Sequence, residues 1–165
     1  MSRLFLALTV ALVLFLACAT DASAQLRAGP SLGYGFDAER AILGLDVWYD
    51  ASALGESSSL QLNAAFGGYL LSDVVFLRGD LNVPFVFAVS PEALSLFLGP
   101  GFSFAYKKVD LGAFGSSDGY DLGLSSFLGM LIFPDSLVSG QLQVRLTLGD
   151  WVSRMEAVTG VLIRF

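Results

Sequence analysis

The side chains able to do chemistry in this chain are few, and their types already narrow it. The 165 residues include no histidine and a single cysteine, Cys18. A serine or aspartate working through a histidine is therefore ruled out, as is a metal site built on histidine and cysteine. Carboxylates remain. Asp46 and Asp50 stand four residues apart in an alternating segment, on one face and about 13 Å apart by strand rise. That is too far for two acids to share a proton, so ion pairing with arginines is the favoured reading. The same parity carries seven cations, Arg27, Arg40, Arg78, Lys107, Arg145, Arg154 and Arg164. Against them stand five anions, Asp46, Asp50, Asp80, Asp121 and Glu156. A buried guanidinium without a partner is costly, and its fork suits carboxylates. The expectation is a packed ionic network in which Arg78, Arg145, Arg154 and Arg164 meet Asp46, Asp80, Asp121 or Glu156. Arg145, Glu156 and Arg27 are expected in one cluster. No catalytic, cofactor-binding or metal-binding residue is assigned, and no cofactor is implied.

The elements that position these residues are strands. Eight alternating segments can be laid out: 26–36, 40–50, 60–70, 75–87, 94–107, 120–133, 136–148 and 154–165. Runs rich in Gly, Asp, Ser and Pro separate them, as turns require. A strand has a side-chain period of two, so each segment has two faces. One parity is apolar and carries no charge, for example Leu43, Leu45 and Val47, or Val144, Leu146 and Leu148. The other holds every charge named above, together with Gln61, Asn63, Asn82, Gln141 and Gln143.

Which parity faces outward follows from the bulk properties. Hydrophobic residues make up 55% of the chain and mean hydropathy is +0.68, yet past Ala17 no stretch approaches 18 apolar residues. Such a chain must carry its hydrophobicity in strands, as the lipid-facing band of a transmembrane barrel does. The polar face mixes both charge signs with glycine and almost no lysine, unlike a solvated strand face. Gly29, Gly33, Gly35, Gly44, Gly67, Gly99, Gly101, Gly123, Gly129 and Gly160 fall on it and make room for large inward residues. Those are Trp48, Tyr69, Phe76, Phe97, Phe127 and Phe133. Pro30, Pro84 and Pro100 interrupt segments and are each expected to mark a bulge. Gly29-Pro30 and Gly99-Pro100 occupy similar places in the first and fifth segments.

With the N-terminus on the periplasmic side, Tyr34, Phe36, Phe104 and Tyr106 collect at the outer rim. Tyr49, Phe85, Phe87 and Phe165 collect at the inner one, giving two aromatic girdles. The connecting runs carry nine acids (Asp37, Glu39, Glu56, Asp73, Glu92, Asp110, Asp118, Asp135, Asp150) against Lys108. That balance excludes nucleic acid as a partner. Residues 1–24 read as a secretory leader: Arg3, an apolar run from Leu4 to Ala17, and the small-residue pattern Ala22-Ser23-Ala24. The mature domain is then 25–165, beginning at Gln25 and free of cysteine. The competing reading is a lipoprotein, with Phe15-Leu16-Ala17-Cys18 as its processing site and Cys18 lipidated.

Three segments, Gly79-Asp-Leu-Asn-Val-Pro-Phe-Val-Phe87, Leu96-Phe-Leu-Gly-Pro-Gly-Phe-Ser-Phe104 and Thr159-Gly-Val-Leu-Ile-Arg-Phe165, resemble strands of the small outer-membrane β-barrel family of the OmpA/OmpX and opacity-protein type. The resemblance implies an all-β fold, a closed antiparallel up-and-down transmembrane barrel of eight strands, in the outer membrane of a Gram-negative-type bacterium. It also implies that Val161, Ile163 and Phe165 form a C-terminal assembly signal read by the barrel-insertion machinery. Outer-membrane lipid is the other expected partner, and a monomer the expected state. Enzymes built on this architecture rely on histidine, which this chain lacks, so a non-catalytic structural or surface-interaction role is expected. Only residues 108–119 form a sizeable loop, which argues against an adhesin. The alternatives are a narrow pore, or a soluble periplasmic barrel holding a lipid-like ligand.

Overall fold

The computed structural model describes residues 26–55, 57–70, 73–90, 92–149 and 155–165. The expected leader, its rival lipid site at Cys18, Gln25 and Arg154 lie outside them. The strands are β1 (Leu26–Gly35), β2 (Arg40–Gly55), β3 (Ser58–Leu70), β4 (Val74–Asn82), β5 (Phe85–Ser90), β6 (Leu94–Asp110), β7 (Ser116–Ile132), β8 (Val138–Leu148) and β9 (Met155–Arg164). All pairings are antiparallel, and the order β2-β1-β9-β8-β7-β6-β4-β3 closes through β2–β3. The first and last strands are thus neighbours, and the backbone N–H of Phe165 donates to the Leu26 carbonyl at 2.9 Å. Among the described residues no strand edge is left open along the ring, which is how a barrel satisfies backbone groups without water.

β4 and β5 are two halves of one stave. Asn82 pairs with Gly101 and Phe85 with Leu98 in a single register along β6. Asn63–Asn82 and Leu60–Phe85 do the same along β3. The ring therefore has eight staves, one of them interrupted. Register followed from Arg27 passes Trp48, Asn63, Asn82, Gly101, Ser125 and Thr147. Carried on through the Arg145–Glu156–Gly35 register, it returns level with position 37, ten residues from where it began. A stagger of ten around eight strands tilts them by roughly 40° and leaves a bore that side chains fill.

The interruption has a hydrogen-bonding cause. Val83 donates to the Pro100 carbonyl and Gln61 to the Pro84 carbonyl, at 3.0 and 2.9 Å. Neither bond can be returned, because proline has no N–H. Two adjacent rungs thus lose one bond each, and the stave breaks at Val83–Pro84 without shifting register. Pro30 and Pro100 do not mark the bulges expected of them: β1–β2 and β6–β7 run through both in constant register. The preceding glycines explain how. A β-carbon on Gly29 would lie 1.8 Å from the Val161 carbonyl oxygen, and one on Gly99 would lie 2.3 Å from that of Val83. Each Gly-Pro pair removes a donor and makes room for the carbonyl left without it. Among the described residues the register shifts lie elsewhere, in β2 at Asp50/Ser52 and Ala53/Gly55 and in β5 at Ala88/Ser90.

Two expected loops are largely strand. Most of 51–59 extends β2 and β3 into a hairpin, and 108–119 shrinks to a turn at 111–115 with a 3-10 helix at Gly112–Phe114. Period two alone does not show where a hairpin stops being useful to the core, because pairing continues past the apolar band. Phe133, expected to point inward, sits in a turn at φ 54° and is exposed. Apart from such ends the two faces separate cleanly. Leu43, Leu122, Leu124 and Leu148 are exposed, whereas Trp48, Leu131 and Leu162 are fully buried. Two members of the apolar parity are also covered: Ala64 is short and lies between its partners Val47 and Leu81, and Tyr49 lies between Leu26 and Leu62. Tyr34 and Phe36 touch edge to face at one rim, and Tyr120 joins Phe104 and Tyr106 there. Phe85 and Phe87 meet at the other.

Candidate functional site

The inward face converges on charge. Arg78 and Asp80 stand two apart on β4, so both enter the bore. Arg145 and Glu156 are register partners on β8 and β9. In the ring β4 lies four staves from β9, so these pairs come from opposite walls and meet across the lumen. Arg78 Nη1 lies 2.5 Å from Glu156 Oε2, and Arg145 Nη1 lies 2.8 Å from Asp80 Oδ2. Arg78 Nε approaches Asp80 Oδ2 at 2.8 Å, a charge contact whose N–H is not aimed at the oxygen. Arg145 Nη1 is 3.5 Å from Glu156 Oε2. Each cation therefore touches both anions, and all four side chains are buried. Ser103 donates its hydroxyl to Asp80 Oδ1 at 2.5 Å. Gly33 leaves the space that Glu156 fills: a β-carbon there would stand 2.5 Å from Oε1.

Neutral side chains fill the remaining bore. Asn82 donates to Asn63 at 2.7 Å, Asn63 to Asp46 at 3.4 Å, and Ser125 to Asn82 at 3.4 Å. Trp48 Nε1 donates to Gln141 Oε1 at 3.0 Å. Trp48, Phe97 and Phe127 pack in contact, with Val86, Leu131 and Leu162 closing the layer.

The other charged positions lie apart from this quartet. Arg27 is not in a cluster with Arg145 and Glu156. It registers with Trp48 and Arg164, whereas Glu156 registers with Gly35 at the far end of β1. Arg27 instead meets Asp50 at 2.9 Å and Gln61 at 3.2 Å, beside an open recess of about 460 Å³. Arg164 does not enter the network either. It donates to the Pro134 carbonyl at 2.5 Å and reaches Asp135 at 3.4 Å, pinning the β7–β8 turn. Arg40 is exposed, over the Tyr69 ring, and Asp121 is half-buried opposite Ala105. Asp46 is buried but has no cation within 4 Å among the described residues. Val161, Ile163 and Phe165 all face outward. Ser103 and Ser125 were not singled out from sequence, although their parity places them inside. Among the described residues no three metal-binding side chains converge.

No protein family and no curated protein matches the chain. Solved structures do. The attachment invasion locus protein Ail of Yersinia pestis superposes with a TM-score of 0.69 at 15% identity, covering 86% of this chain and 97% of that one. The N-terminal β-barrel domain of Pseudomonas aeruginosa OprF gives 0.65 at 13% identity, with the same coverage. Neisserial surface protein A gives 0.50 at 17% identity, covering 86% and 96%. The chain has the fold of the small eight-stranded outer-membrane β-barrels.

Proposed function

We propose that this chain is an integral outer-membrane β-barrel protein of a Gram-negative-type bacterium, exported through a leader ending at Ala24. It acts as a monomer in a structural or surface-interaction role and does not catalyse a reaction. The observation that carries this reading is its inverted polarity. Leu43 is 71% exposed on the outer wall, while Arg145 is 1% exposed in the bore. Water as the outer solvent would favour the reverse arrangement; hydrocarbon favours this one.

The competing readings find less support. A soluble lipid-binding barrel needs an apolar cavity, but the apolar part of the bore is filled by Trp48, Phe97, Phe127, Leu131 and Leu162. The open recess is lined instead by Arg27, Asp50, Gln61 and serines. A narrow pore would have to pass a quartet whose members reach across from opposite walls. Purified protein in a planar lipid bilayer is expected to show no stable conductance. Reproducible, ion-selective channels would move it to the porins.

The outward triplet Val161, Ile163 and Phe165 is proposed as the signal read during insertion. Phe165 is 76% exposed, so its loss removes little packing from the barrel. Deleting it should reduce outer-membrane yield in cells severalfold while leaving refolding into detergent intact. Normal yield from the deletion would show that Phe165 is not read.

A further inference from the structure

Asp46 registers with Ala65, and Ala65 with Asp80, so a single methyl group on β3 stands between two buried carboxylates on the strands that flank it, β2 and β4. Beside that methyl is a small cavity whose polar lining includes Asp46, Arg78, Arg145, Glu156 and Ser31. It has room for about one water molecule. Four buried polar atoms on its lining residues have no hydrogen-bond partner among the described residues: Glu156 Oε1, Arg145 Nε, Arg145 Nη2 and Arg78 Nε. A buried polar group left unpaired is costly, more so if charged, so a filled site is strongly favoured. The chemistry selects the occupant. Guanidinium N–H groups disfavour a metal cation, and two carboxylates disfavour an anion. A water satisfies both, accepting from arginine and donating to carboxylate oxygens.

We propose that one buried water occupies this cavity and bridges Arg145 and Glu156 to Asp46. It links the ionic quartet to the chain Asp46–Asn63–Asn82–Ser125, so one hydrogen-bonded network spans the bore. The site depends on the lumen geometry and not on where the barrel resides. Ala65 provides the test. In Ala65→Ser a hydroxyl takes the water's place and can keep part of its bonding. In Ala65→Val a methyl expels the water and bonds nothing. Urea unfolding in lipid vesicles should give Ala65→Ser a midpoint near that of the parent, and Ala65→Val a clearly lower one. A dry void would reverse the order, because valine would fill it, and a valine midpoint at or above the parent's overturns the proposal. If both variants fall equally, crystallographic density for the parent decides. A peak within about 3.2 Å of both Asp46 and Glu156 supports the water. An empty cavity, or a peak with the short contacts of a metal ion, overturns it.

Discussion

Arg145→Met should lower unfolding free energy by about 3–5 kcal/mol, the usual cost of removing one partner from a buried ion pair. Methionine keeps much of the side-chain volume, so the loss comes from charge. Asp80 and Glu156 would then share Arg78 alone, at a site where both carboxylates are buried. Urea titration in lipid vesicles reads the effect. The double variant Arg145→Met/Glu156→Leu leaves Arg78 paired with Asp80 and should recover a large part of the loss. That recovery is the pairwise coupling that a double-mutant cycle isolates. A loss below about 1 kcal/mol from the single change would mean that water solvates the quartet, against a packed bore.

Val144→Arg should cost about 2–4 kcal/mol, since Val144 lies near the middle of β8 on the lipid-facing parity. Its partners are Leu128 and Ala157, both of that parity. Val144→Phe at the same site should cost little, because lipid chains adapt to a larger side chain where a close-packed protein core would not. The same unfolding titration distinguishes the cases. A large penalty from phenylalanine would indicate a protein interior on that face.

Much of the barrel was legible because period-two alternation marks faces directly. Arg78, Asp80, Arg145 and Glu156 could be placed inside from parity alone. Their grouping could not, because it depends on which staves stand opposite and on the stagger around the ring. The same gap explains Arg27, which shares a face with Glu156 but sits at the other end of β1. It also explains Arg164, whose long side chain turns back to Pro134 at the end of its strand. The prolines show a different limit. Sequence marks a missing N–H, but a break, a bulge or an undisturbed register depends on the neighbouring strands. Two prolines on adjacent rungs broke the stave at Val83–Pro84, whereas Gly29 and Gly99 made room for the displaced carbonyls. Hairpin ends beyond the apolar band were misjudged because pairing continues there without a change in alternation.

The central claim is that the apolar wall faces lipid. Carbonate-washed membrane fractions, run on gels with and without prior heating, test it most directly. The protein is expected to stay with the outer membrane after washing, and its unheated form to migrate differently from the heated one. Release into the soluble fraction, with one mobility under both conditions, would contradict it.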